Sequence, residues 1–289
     1  MTHDFEDDHR PLRDRIYGDA TAGRDGRRGL ATIALAVSVF LLVAAVSARQ
    51  LTAPGPARSI LESGIALTTE IEQVIAEDHD ALRQLVESNN SAVFTIPDYP
   101  LDVVLTRDEI LKSTDAQLRE TVLARSSGLV YAHGLDAFDR TGNQSFGQLS
   151  TQRLLEFGVG QFSQETHRRA NVLSVVFLLA TAAAACFVVA SREGWGRSRA
   201  LGLATILGAV PGILIVGLVW LAVGRMGGGD PFVADLRQVV QTALLAPLRN
   251  YLAVFILGAL LAALGVAMAM IDARLEAPAG GAVETDEAI

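Results

Sequence analysis

Cysteine is almost missing from this chain. The single one, Cys186, has no partner within the sequence, so no internal disulfide staples any domain. It lies in an apolar stretch, where a thiol is poorly placed to ionise, and its expected role is that of a small packing residue. Histidine is scarce as well: beyond the N-terminal tail it occurs only at His79, His133 and His167. There is no basic stripe, and the formal net charge is -8, which argues against a nucleic-acid partner.

The most telling absence is local. No Asp, Glu, Lys, Arg or His falls within residues 29–48, 170–191, 200–223 or 251–271. At about 1.5 Å per residue, a helix over any of these stretches crosses a hydrocarbon core of roughly 30 Å. A helix also satisfies its own backbone N–H and C=O groups, as lipid requires. The sequence therefore predicts an all-α integral membrane protein with four transmembrane helices. Four buried core helices of a soluble protein would not be so uniformly free of charge.

Arginine placement orients the chain. Arg24, Arg27 and Arg28 precede the first span, Arg192, Arg197 and Arg199 crowd the link between the second and third, and Arg274 follows the fourth. The positive-inside rule puts these groups in the cytoplasm. Arg49, Arg168, Arg169, Arg225 and Arg249 dissent but are fewer at most outer ends. The expected plan is a cytoplasmic disordered tail over 1–28, an extracytoplasmic domain over 49–169, a cytoplasmic link over 192–199, an extracytoplasmic loop with an amphipathic helix over 224–250, and an acidic cytoplasmic tail over 272–289. Val46-Ser47-Ala48 offers a small-residue cleavage pattern after the first span, but such a leader would be long, and an uncleaved anchor is expected.

The segment 49–169 reads as mainly helical. Pro54-Gly55-Pro56 breaks the chain beyond the first span, and an apolar stripe then recurs at three and four over about 57–87. Residues 93–96 and 101–105 are short extended runs around Pro97-Asp98-Tyr99-Pro100. Thr106 and Glu109 have capping-box spacing, with Leu105 and Ile110 placed as a hydrophobic staple, and Thr114 with Gln117 repeats the box. A helix is predicted to about Ala137, and another over 150–167 leading into the second span.

Chemistry is hard to find. Glu77-Asp78-His79-Asp80 contains metal-ligand types, but adjacent residues on a helix point in different directions, and a solvated face accounts for them. The glycines at 227–229 lack the lysine of a phosphate loop. Asn89-Asn90-Ser91 and Asn143-Gln144-Ser145 match a sequon that is common by chance. No cofactor, metal ligand or catalytic residue is assigned, and a non-enzymatic protein is expected.

Small residues mark packing instead. Ala204, Gly208 and Gly212 recur at four in the third span, and Gly258, Ala262 and Gly265 are corresponding positions in the fourth. Pro211 predicts a kink. Asp230-Pro231 fits a cap with proline at the first helical position, and the helix that follows is expected to lie at the outer interface or cover the membrane end of the outer domain, until Pro247 bends the chain into the fourth span. The expected partners are membrane lipid and a membrane or envelope protein, with a homo-oligomer as an open alternative. The leading functional expectation is an accessory or scaffold protein. A sensor of a small external ligand and an oligomeric small-solute transporter are the alternatives.

Overall fold

The structure is a computed structural model, and it describes residues 12–68, 83–84, 86–89, 91–96, 99, 101–134, 136–139, 161–225 and 231–276. In chain order these form α1 (Leu12–Leu51), α2 (Pro54–Thr68), β1 (Val93–Thr95), β2 (Val104–Thr106), α3 (Arg107–Lys112), α4 (Asp115–His133), α5 (Asp136–Asp139), α6 (Gln164–Ala190), α7 (Gly196–Arg225) and α8 (Pro231–Glu276). Gly26–Leu51, Gln164–Ala190, Gly196–Arg225 and Arg237–Leu275 are long and apolar enough to cross a membrane. The protein is thus an all-α, four-span membrane protein with a mainly helical extracytoplasmic domain between the first and second spans. Four crossings return the chain to its starting side, and the arginines put both termini in the cytoplasm. The spans bury little of themselves in the fold: Leu179, Leu207, Leu218 and Leu260 are exposed, as lipid-facing side chains are.

Two helices run beyond the spans that composition marks. Helix α1 begins at Leu12, inside the segment whose composition predicts a disordered tail. Extending an existing helix avoids the nucleation cost that deters an isolated one. Helix α8 has 46 residues, about 69 Å at 1.5 Å per residue, and runs through Pro247. The sequence places a bend there between an amphipathic helix and the fourth span. The structure draws one helix, in which the buried Pro247 forfeits a single backbone bond. Pro211 likewise lies within α7.

The chain divides into two compact units. One comprises Met1–Leu42, Phe177–Gly212 and Tyr251–Ile289. Its contacts are close backbone approaches at small residues. A Cβ on Gly208 would lie 2.5 Å from the carbonyl oxygen of Ala36 in α1, and a Cβ on Gly202 would lie 2.6 Å from the carbonyl oxygen of Gly258 in α8.

The other unit comprises Val43–Val176 and Ile213–Asn250. Its core is built from the extracytoplasmic domain. Val103, Leu105, Ile110, Leu118, Val122 and Val130 are fully buried, and Ala57, Leu61 and Ile65 of α2 pack into the same cluster. Pro54 opens α2 at the position where a missing N–H costs least. Strands β1 and β2 pair antiparallel, with Val93 opposite Thr106, Phe94 opposite Leu105 and Thr95 opposite Val104. Period-two alternation sends Phe94 and Leu105 into the core and leaves Val93, Thr95, Val104 and Thr106 outward. Both capping boxes form as the spacing predicts, at Thr106/Glu109 and Thr114/Gln117. The staple residues Leu105 and Ile110 are both buried. Helix α4 stops at Gly134, whose φ of 61° suits glycine.

Candidate functional site

The polar groups of the extracytoplasmic domain are joined to one another and to the stems that carry it. Thr52, just past α1, is buried and has two partners far along the chain. Its carbonyl accepts the Tyr131 hydroxyl of α4 at 3.1 Å, and its own hydroxyl lies 3.3 Å from Nδ1 of His167 near the start of α6. One residue therefore touches the domain and both helices between which the domain is inserted. Arg58 stacks its guanidinium over the Tyr131 ring, 5.8 Å from the centroid. Burial pushes the Tyr131 phenol up, while the Arg58 charge pulls it back, so the hydroxyl stays a donor.

Asn250 of α8 forms a second tie. Its amide donates to Ser47 Oγ at 3.0 Å and to Gln50 Oε1 at 2.7 Å, both on α1. Ser47 in turn donates to the carbonyl of Val43. Polar side chains at this level give neighbouring helices a directional bond that apolar contact lacks.

Beside strand β2, Arg125 acts as a strut. It donates to the Val104 carbonyl of β2 and to both carboxylate oxygens of Glu109, at 3.0 and 2.5 Å. Glu109 also accepts from the Thr106 backbone N–H at 2.8 Å. The guanidinium bonds come first and the capping bond second in holding the Glu109 carboxyl well below the usual range, at about 2. Inside the domain, Tyr99 and Ser126 share a hydrogen bond at 2.9 Å, and Ser127 donates to Glu62 of α2 at 3.1 Å. The small Ser126 and Ser127, both fully buried, let α2 and α4 meet closely. Sequence reading missed this pair and Thr52, because no spacing rule marks a serine or threonine whose partner lies far along the chain.

The predicted packing residues fall in three separate contacts. Ala204, Gly208 and Gly212 are buried on α7, but Gly208 faces α1 at Ala36 and Val39, whereas Gly212 faces the Tyr251 ring of α8. A Cβ on Gly258 would be 3.0 Å from the Gly202 carbonyl oxygen. Ala262 lies against Gly202, and Gly265 lies against Arg199, 2.6 Å from its backbone nitrogen to a built Cβ. Gly202 joins this set although it is outside the four-residue series.

Of the histidines, His133 is exposed at the end of α4, His167 meets Thr52, and the segment around His79 lies outside the described residues. So do Asn143–Ser145 and the 227–229 glycines. Cys186 is exposed on α6. Among the described residues no three His, Cys, Asp or Glu side chains gather as a metal site would require.

The chain matches no protein-family model, no curated protein and no solved structure in these three comparisons.

Proposed function

We propose that the protein is a non-catalytic accessory or scaffold protein of the membrane, whose extracytoplasmic domain holds a protein partner of the membrane or envelope. The observation that supports this most is the outward face of the β1–β2 hairpin. Val93 and Val104 are about half exposed, at 51% and 47%, and Leu111 of α3 adds a third exposed apolar side chain. The two valines share the outward face with Thr95 and Thr106, a β-branched surface on a domain tied to its stems at Thr52. The polar groups beside it are engaged in caps and in the Arg125 strut, which suits a presenting surface rather than a reacting one.

The test uses the full chain captured from mild detergent. Val93→Glu and Val104→Glu place charge on the outward face and leave the core untouched. The expected result is loss of a specific co-purifying partner with an unchanged melting temperature. Retention of every partner by both variants, or turnover of a substrate by the isolated protein, contradicts the reading.

A sensor is the second reading, favoured by Thr52 alone: it joins α4 to the ends of both α1 and α6, the connection a ligand signal would need. A small molecule that stabilises the parent but not a Tyr131→Phe variant would favour it.

A further inference from the structure

The link between α6 and α7 gathers arginines that pair with no carboxylate among the described residues. Arg192 leaves the end of α6 half-buried and reaches back to α1, where its Nη2 lies 3.4 Å from Thr32 Oγ1. Its Nε is sealed from solvent and has no acceptor among the described residues. Gly194, at φ 53°, turns the link tightly, and Arg197 then donates its Nε to the Arg192 carbonyl at 2.7 Å. This fold-back holds two guanidinium side chains on one short segment, beside the positive end of the 30-residue helix α7. Among the described residues, Arg192, Arg197 and Arg199 pair with no carboxylate, although Glu193 sits next to Arg192 and acids outnumber bases in the chain, 32 to 24. Lys112 is the one lysine of the sequence, so the charge here is entirely guanidinium, the group whose planar fork matches a phosphate. Trp195, partly exposed in the same link, is a residue type that favours the headgroup level.

We propose that Arg192 and Arg197 form a site for the phosphate of an anionic phospholipid in the cytoplasmic leaflet. The phosphate accepts from the outer guanidinium nitrogens of the half-buried Arg192 and the exposed Arg197, and so joins α1, through Thr32, to the α6–α7 link. A phosphate group could come from a lipid or from solution; the position of the link at the end of two spans selects the lipid.

The test measures the melting temperature of the full chain in neutral detergent micelles doped with phosphatidylglycerol, with phosphatidylcholine of the same acyl chains, or with inorganic phosphate. Near saturation, phosphatidylglycerol should raise the midpoint by about 5 °C. Phosphatidylcholine and inorganic phosphate should give less than half of that rise. Arg192→Gln/Arg197→Gln should lose at least half of the phosphatidylglycerol response, while Arg168→Gln, on the outer side, keeps it. If the double variant fails to fold, Arg197→Gln alone, on an exposed side chain, carries the comparison and should give a reduced response. An equal rise with phosphatidylcholine, an equal rise with inorganic phosphate, or a full response in the arginine variants overturns the proposal.

Discussion

The ring of Tyr251 occupies the space that a side chain on Gly212 would fill. Its hydroxyl passes on to the Phe40 carbonyl of α1 at 3.1 Å, and the ring stacks on Phe40 at 5.9 Å between centroids. Glycine on α7 thus admits an aromatic from α8 that bonds to α1, and three membrane helices meet at one point.

Adding bulk at this seam should separate the helices. Gly208→Leu drives a side chain into the Ala36 carbonyl, and overpacking of this kind costs about 1–3 kcal/mol. Thermal unfolding in detergent should show a clear fall in midpoint for Gly208→Leu and almost none for Leu207→Ala, whose parent side chain is 57% exposed. Equal melting of Gly208→Leu and the parent would mean that this face looks at lipid.

Tyr251→Phe separates the hydroxyl from the ring. The ring still fills the place beside Gly212, and only the bond to Phe40 is lost. Hydrogen bonds between membrane helices are worth about 0.6 kcal/mol on average, so the variant should melt slightly below the parent and far above Gly212→Leu. A variant as damaged as Gly212→Leu would assign the stability to the hydroxyl instead.

The Glu109–Arg125 strut should make the extracytoplasmic domain sensitive to acid. Glu109 falls from 4.5 to about 2 on folding, because Arg125 and the Thr106 N–H bind the carboxylate form. A depressed carboxyl contributes stability that is fully present above 4.5 and is lost as pH falls towards 2. Allowing for the part-exposed pair, the contribution at neutral pH is about 1–2 kcal/mol. Denaturant unfolding of the full chain should show Glu109→Gln less stable than the parent at pH 7, with the gap closing as the pH approaches 2. A gap independent of pH would show that the charge is not the source.

Topology is open to a direct check. Reporter fusions at Ser91, Gly194 and Ala279 should report outside, inside and inside. Ser91 found in the cytoplasm would reverse the whole assignment and remove the domain from the outer side.

Much of the fold is legible in the residues because the signals are local. Charge-free runs mark the spans, and Thr106 with Glu109, or Thr114 with Gln117, writes a helix start within four residues. The alternation of Val93, Phe94 and Thr95 tells which side of the hairpin is buried. Long-range partners are not legible. Spacing sets Ala204, Gly208 and Gly212 on one face, but it cannot say that Gly208 meets α1 while Gly212 meets α8. Asn250 reads as a residue before a span, and only folding brings it to Ser47 and Gln50. That helix α8 continues through Pro247 is not legible either, because a proline's cost is one backbone bond and a clash, which the packing of a long helix can absorb.

The partner-holding role of the outward hairpin face can be measured in living cells with a photo-crosslinking side chain placed at Val93, at Val104 or at the exposed Ala116 of α4. The account predicts one discrete adduct from Val93 and Val104, abolished when Val104→Glu is combined with the probe at Val93, and no such adduct from Ala116. No adduct at either valine, or the same adduct pattern from all three positions, would contradict it.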